Sequence, residues 1–320
     1  MRIFLAGATG VVGRRLVPVL VGAGHDVVGT TNSVDKAESL ATGGAEPVVL
    51  DALDAEAVLA AVTRAKPDVV VHELSALSGP ASFKKFDETF ALTNRLRTEG
   101  LDNLLRAARA SGASRFVAQS YTGWSNERTG SWVKTEHDPL DANPTSASRM
   151  TLDAIRYVES TVTTARDLTG VALRYGTFYG PGTAFAKGGD LYEMVRKRRF
   201  PIVGGGNAVW SFVHIDDVAT ATLAAVENGP AGIYNVVDDE PARVSEWLPF
   251  LAEVIGAKPP ARIPAWLARP MVGEHGISLM TAIRGASNAK AKRELGWTPA
   301  YPSWREGFRT AAGLERPWSF

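Results

Sequence analysis

The 320-residue chain is predicted to adopt an α/β fold, a doubly wound parallel sheet with a smaller, mostly helical C-terminal lobe. Three observations carry this expectation. Short apolar runs alternate with helical periodicity from Ile3 as far as Tyr175. A glycine triplet, Gly7, Gly10 and Gly13, separates the first apolar run from the first helical one. Beyond Gly180 the rhythm breaks, and the last third of the chain is helical and Pro-rich. Alternating strands and helices build parallel sheets that bind ligands at the carboxyl ends of their strands.

Ile3 to Ala6 reads as the first strand and Arg14 to Val21 as the first helix, with G-x-x-G-x-x-G between them. Strand, glycine turn and helix together form the dinucleotide-binding context of Rossmann-type folds. Glycine accepts the positive φ of a tight turn, and its missing Cβ lets a pyrophosphate approach the backbone. The helix N-terminus adds free N–H groups and a positive dipole end. Val11 and Val12, inside the turn, belong to the same expected cofactor cradle. The alternative is a glycine-rich turn in some other α/β protein.

His25 to Thr31 is the second strand. An acidic residue at its tip would bind the ribose 2′-hydroxyl of NAD. The tip instead reads Thr30, Thr31, Asn32 and Ser33, with Lys36 a turn later. Those groups can accept a 2′-phosphate, so NADP is expected over NAD, although the arginine often found there is missing from the tip. An ordinary polar loop has the same composition. Pro47 to Leu50 is a third strand, followed by Asp51 and Ala52. Asp51 could accept the adenine amino group; equally, Asp51 or Asp54 could cap the helix that starts near Ala55. Asp68 to Val71 is a fourth strand whose VVV run predicts burial on both faces. It runs into His72, Glu73, Leu74 and Ser75, which puts the Glu73 carboxyl at the ligand edge.

Phe86 to Ala110 reads as one long helix containing Thr93 and Asn94, stopped by Gly112. Arg115 to Gln119 is a fifth strand, leading into Ser120, Tyr121 and Thr122. A polar loop follows, then a helix from about Ser146 to Leu168 and a strand from Val171 to Arg174. The run Arg196 to Arg199 reads as a solvated face, with a phosphate-bearing substrate as the sharper alternative. Phe212 to Ile215, the helix to Val226 and strand Ile233 to Val237 come next. Trp297, Tyr301 and Trp304 are expected in a core rather than on a ligand.

Composition narrows the function classes. The formal net charge is +1, which argues against a nucleic-acid partner. Without cysteine there is no thiol nucleophile, disulfide or thiolate metal ligand. The five histidines include no His-x-x-x-His pair, so no metal site is expected. No apolar run reaches transmembrane length, and a strand stands where a signal peptide would need its apolar core. A cytoplasmic protein with a small-molecule substrate and no membrane partner is the resulting expectation.

In order, the chain contains GATGVVG, RFVAQS, LRYGTFYGPG, WSFVHIDDVA, YNVVDDEP and SNAKAKRELGW. Taken together these resemble the extended short-chain dehydrogenases/reductases, the nucleotide-sugar epimerase/dehydratase group, nearly end to end. The resemblance implies a dinucleotide-binding domain at 1–179, with 209–238 returning to it, and a substrate lobe from 180–208 and 239–320. It implies a nicotinamide cofactor on Gly7, Gly10, Gly13 and Asp51. Asn94, Gly176 and Thr177 would lie near its nicotinamide half, and Leu74 and Tyr175 would also bind the cofactor. Helices such as Phe86 to Ala110 pair across dimers in related proteins, so the resemblance also admits a homodimer.

One departure is large. The family's chemistry rests on Tyr-x-x-x-Lys, and counting from either flanking strand puts that pair on Ser148 and Leu152. No Tyr-x-x-x-Lys occurs anywhere in the chain: Tyr157 is followed at that spacing by Thr161 and Tyr192 by Arg196. The chain is therefore expected to be an atypical member, an NADP-dependent reductase of a small carbonyl, imine or activated alkene. A non-catalytic NADP-binding sensor and a nucleotide-sugar epimerase or dehydratase are the alternatives. Ser148 and Leu152 are expected to be structural. Tyr121 is the first candidate for the proton or hydrogen bond the missing tyrosine would supply, near its ordinary pKa of about 10. Ser120, Tyr179 and Glu73 are its rivals, and packing of Tyr121 on Trp124 is the structural alternative.

Overall fold

The structure, a computed structural model, describes residues 1–77 and 82–311. The end of the expected lobe, 312–320, lies outside the described residues. Strands β1 (Arg2–Ala6), β2 (Asp26–Thr31), β3 (Glu46–Val49), β4 (Val69–His72), β5 (Arg115–Tyr121) and β6 (Thr169–Tyr175) come from the N-terminal half. Two short strands, β7 (Thr177–Tyr179) and β8 (Phe212–His214), pair with each other. Strand β9 (Gly232–Val236) returns to the main sheet beside β6. The main sheet has the order β9-β6-β5-β4-β1-β2-β3, and every pairing in it is parallel. The order reverses between β1 and β4, so the ligand crevice of a doubly wound sheet opens at their carboxyl ends.

Strand residues alternate between two helical layers, which is why these strands are apolar throughout. Ile3, Leu5, Val69 and Val71 face α1 (Gly13–Gly22) and the helix Ile215–Glu227. Phe4, Ala6, Val70 and Phe116 face the helices Ala55–Ala65, Leu101–Ser111 and Arg149–Thr163. A third core, with Trp247, Phe212, Phe185, Trp304 and Phe308, fills the C-terminal lobe. Trp297 packs in the first of these cores, and Tyr301 and Trp304 in the third. Each large side chain so buried contributes roughly 1.5–3 kcal/mol.

Three expected elements differ. The segment from Phe86 is not one helix: it runs as Phe86–Thr89, Ala91–Arg95, a π-helical turn Leu96–Gly100, and Leu101–Ser111. The second long helix begins with a 3₁₀ turn, Ser146–Ser148, and ends at Thr163 rather than Leu168. Thr163 and Thr164 turn their hydroxyls back onto the carbonyls of Glu159 and Ser160. The third strand is shifted one residue toward the N-terminus. At the helix that follows it the cap is Asp54, whose carboxylate accepts from the N–H groups of Glu56 and Ala57. Such a cap contributes about 1 kcal/mol.

Candidate active site

The glycine turn spans the crevice between β1 and β4. Gly7 has φ of 92°, and a Cβ there would stand 2.6 Å from the Glu73 carbonyl oxygen. A Cβ on Gly13 would stand 2.4 Å from the Gly7 carbonyl. The first position therefore needs glycine for its conformation and the second for close packing. The turn is tied to the tip of β2: the Gly7 N–H donates to Thr30 Oγ1 at 3.1 Å, and Thr9 Oγ1 donates to Thr31 Oγ1 at 3.1 Å. The bond from Arg14 N to Gly10 O opens the helical ladder. The N–H groups of Val11 and Val12 precede it, and such groups are the orphan donors of a helix N-terminus. Val11 is exposed, while the side chain of Val12 is buried in the core. A turn with no room for a Cβ and with free N–H groups at a helix start fits the pyrophosphate of a dinucleotide.

Around the β2 tip, Thr31 is buried and its hydroxyl also accepts from the Ser33 N–H, so its side chain braces the loop. Asn32 and Lys36 are exposed, with Asp35 between them and Ser33 half-buried. A residue missed by the sequence reading joins them. Arg14 is exposed, and its Nε donates to the Thr9 carbonyl at 2.9 Å. That bond holds a guanidinium beside the same tip. Its signal in the sequence is its place directly after the last glycine, away from the strand tip. Asp51 is exposed and, among the described residues, accepts only the Leu53 N–H. Ala52 is buried behind it.

Glu73 is buried, and its Oε1 accepts from the Tyr175 hydroxyl at 2.7 Å. That hydroxyl also lies 2.8 Å from Thr222 Oγ1. Desolvation raises the Glu73 carboxyl to about 8, opposed by the tyrosine hydrogen bond. Leu74 is half-buried, and its carbonyl accepts from Gln119 Nε2. Gly176 packs against the Ser211 carbonyl, which a Cβ would approach to 2.7 Å. Asn94 is buried; its Nδ2 donates to Thr151 Oγ1 at 3.0 Å, and its Oδ1 has no partner among the described residues. Thr151 is held in turn by Asp87, which accepts from its N–H and its hydroxyl. Thr151 and Asp87 were not singled out from the sequence, because their partners come from separate segments.

Two of the expected catalytic candidates, Ser120 and Tyr179, lie in buried surroundings. Ser120 donates its hydroxyl to Glu159 Oε1 at 2.6 Å, and Arg174 donates to both oxygens of the same carboxylate at 2.7 and 2.6 Å. All three residues are buried. Ser120 thus completes a buried ion pair, its hydroxyl taken up by Glu159. Tyr179 is 0% exposed, packed against Phe308, Phe212 and His214, and its hydroxyl has no partner among the described residues. It is a core residue of the lobe.

Tyr121 is half-buried, stacks on Trp124 at 5.9 Å, and carries its hydroxyl 3.3 Å from Thr177 Oγ1. The expected ordinary acidity is corrected: desolvation raises its pKa above 10, despite the hydrogen bond to Thr177. Ser148 is buried, with its hydroxyl 2.9 Å from that of Thr145. Leu152 lies in the apolar core beside Trp124 and Ile155. His275, reaching in from the lobe, sits 3.3 Å from the Thr145 hydroxyl. Burial lowers its pKa to about 4, so it is uncharged at neutral pH.

Among the described residues no helix is long and apolar enough to cross a membrane. The model of the NAD dependent epimerase/dehydratase family matches residues 3–236. A 3-diazoavenalumate denitrifying reductase from a Streptomyces species is 44% identical over 310 residues, covering 96% of this chain and 99% of that one. A 4-hydroxy-2-methyl-3-oxo-4-farnesyl-3,4-dihydroquinoline-1-oxide ketoreductase from Stigmatella aurantiaca is 28% identical over 298 residues, 92% of this chain and 85% of the other. Among solved structures, UDP-glucose 4-epimerase of Thermotoga maritima, determined with UDP-glucose, superposes with a TM-score of 0.76 at 22% identity, over 98% of both chains. That likeness establishes the shared fold. The family match spans the glycine turn, the crevice and β9, and with it the chain belongs to the NAD dependent epimerase/dehydratase family.

Proposed function

We propose that this chain is an NADPH-dependent reductase that delivers hydride to a substrate already electrophilic enough to need no proton, of the diazo or diazonium class. One observation carries the reading: the place of the family's acid holds a serine and a leucine. The candidate phenol, Tyr121, is made a weaker acid by burial. A carbonyl needs its oxygen protonated as hydride arrives, and removing a general acid typically costs 10²–10⁴-fold. A diazonium carbon does not, because its leaving group is neutral dinitrogen.

The Streptomyces relative, named as a denitrifying reductase of a diazo acid anion, supports this substrate class. When bound, the reduced nicotinamide supplies hydride: the new C–H bond replaces the C–N bond, dinitrogen departs with that bond's electron pair, and no proton is consumed. The chain's own residues bind and orient. Gly7, Gly10 and Gly13 admit the pyrophosphate to the backbone, and the Val11 and Val12 N–H groups face its charge. Arg14, Asn32, Ser33 and Lys36 receive the 2′-phosphate, and Asp51 the adenine. Asn94, Gly176 and Thr177 border the nicotinamide. Tyr121 offers a hydrogen bond to the substrate without surrendering its proton. The lobe formed by 180–208 and 239–311 covers the substrate.

The test is to mix protein, NADPH and an arenediazonium acid and to follow both cofactor oxidation and gas. NADPH loss matched one-to-one by dinitrogen is the expected result. Tight NADPH binding with no consumption across diazonium, carbonyl and imine substrates would establish a sensor instead. Interconversion of UDP-glucose and UDP-galactose would establish an epimerase.

A further inference from the structure

The π-helical turn Leu96–Gly100 interrupts the helical segment that carries Asn94. Such turns add a residue to the helical ladder and are frequent at functional sites. This one carries Arg97. The residue is 7% exposed, and neither Nε nor Nη1 has a hydrogen-bond partner among the described residues. Burial lowers its pKa to about 10, which still leaves a cation at neutral pH. An unpaired buried charge costs several kcal/mol. Packing alone does not repay that, since an apolar side chain of similar volume fills the same space without it.

Arg97 stands at the end of an aromatic row. Its Cζ lies 6.0 Å from the centroid of Phe90, and Phe90 stacks on Phe86 at 4.4 Å. Phe86 meets Trp124 edge-on at 5.2 Å, and Trp124 stacks on Tyr121 at 5.9 Å. At its far end the row reaches Thr177 through the Tyr121 hydroxyl. His275, uncharged at neutral pH, packs against Phe86 from the lobe side at 4.3 Å. Flat rings accept flat rings, and a planar guanidinium fork matches the two oxygens of a carboxylate.

We propose that Arg97 receives the carboxylate of a planar aromatic acid whose ring lies along Phe90, Phe86 and Trp124, with its reacting carbon toward Tyr121 and Thr177. The orientation of the reacting end rests on the reductase reading; the carboxylate site rests on Arg97 and its row.

The test is calorimetric binding of trans-cinnamate, trans-cinnamamide and UDP to the NADP⁺-saturated protein, which requires no turnover. The wild type is expected to bind the acid at least about tenfold more tightly than the amide, the scale of one charge-assisted hydrogen bond. Arg97→Met should erase that preference, and Arg97→Lys, which keeps the charge without the fork, should retain part of it. Thermal unfolding without cinnamate or UDP supplies a second readout. A ligand-directed arginine leaves Arg97→Met at least as stable as the wild type, because an unpaired buried charge has gone. Equal binding of acid and amide by the wild type overturns the proposal. So does an acid preference that survives Arg97→Met, or a marked loss of stability in that variant. Tighter binding of UDP than of cinnamate, lost in Arg97→Met, would assign the guanidinium to a phosphate and overturn it too. A failed reductase reading would show in the turnover assay and leave these binding results standing.

Discussion

The hydroxyls of Tyr121 and Thr177 lie 3.3 Å apart, one at the end of β5 and the other at the start of β7. Burial pushes this phenol upward and outweighs the opposing hydrogen bond from Thr177. A phenol so placed can offer a hydrogen bond while keeping its proton. Tyr121→Phe retains the ring on Trp124 and removes that donor. Turnover is expected to fall about tenfold, or ~1.4 kcal/mol of transition-state stabilisation. NADPH affinity and the pH–rate profile should not move. Ser148→Ala is the matched control and should stay within a few fold. Unchanged turnover in Tyr121→Phe would return Tyr121 to packing. A hundredfold loss in Ser148→Ala would move the chemistry to the serine.

Arg14 reaches the β2 tip through the Thr9 carbonyl. A 2′-phosphate there would meet this guanidinium together with Lys36. Both side chains are exposed, so solvent screening keeps each contribution small. Arg14→Ala is expected to weaken NADPH binding about tenfold at low salt, about 1.4 kcal/mol. NADH binding should change little, so fluorescence titration with both cofactors isolates the effect. An equal loss for both would mean that Arg14 supports the turn rather than the phosphate, and tighter NADH binding in the wild type would reject the NADP reading.

The framework was legible because its signals are local. The VVV run of β4 and the strand–glycine–helix unit each occupy a few consecutive residues, and periodicity reads them directly. The site was less legible because its decisive contacts are distant in sequence. Nothing near Ser120 announces that Glu159, a turn from the end of its helix, will take its hydroxyl. Tyr179 follows β6 so closely that it reads as a cleft residue, yet the turn at Gly180 and the lobe helix Trp304–Ala311 enclose it. Arg97 was hidden for a different reason. Regular helical spacing says nothing of a π turn, and that turn is the local geometry that holds this arginine among buried groups. Asp51 and Asp54 were equivalent as letters, and only the backbone path separates the cap from the free carboxylate.

The last expectation concerns Glu73. Its carboxyl is buried, accepts one hydrogen bond from Tyr175, and has an Oε2 with no partner among the described residues. Desolvation raises it from 4.5 to about 8 in the folded protein. Between those values the folded chain holds a proton that the unfolded chain has released. Stability therefore falls as pH rises through this window, since its slope follows the protons bound by the unfolded state minus those bound by the folded state. The contribution is fully present below the unfolded pKa and is gone once pH has passed the folded one. Glu73→Gln preserves an acceptor for Tyr175 and removes the titration. The wild-type melting temperature should drop more steeply than that of Glu73→Gln from about pH 6 to about pH 9, with the gap levelling off beyond the folded pKa. Asp217, raised to about 6 mainly by burial, titrates in both proteins and cancels from the comparison. Parallel melting curves across that range would show that the carboxyl ionises normally in the folded state, through a water or a shift of the Gly7 turn.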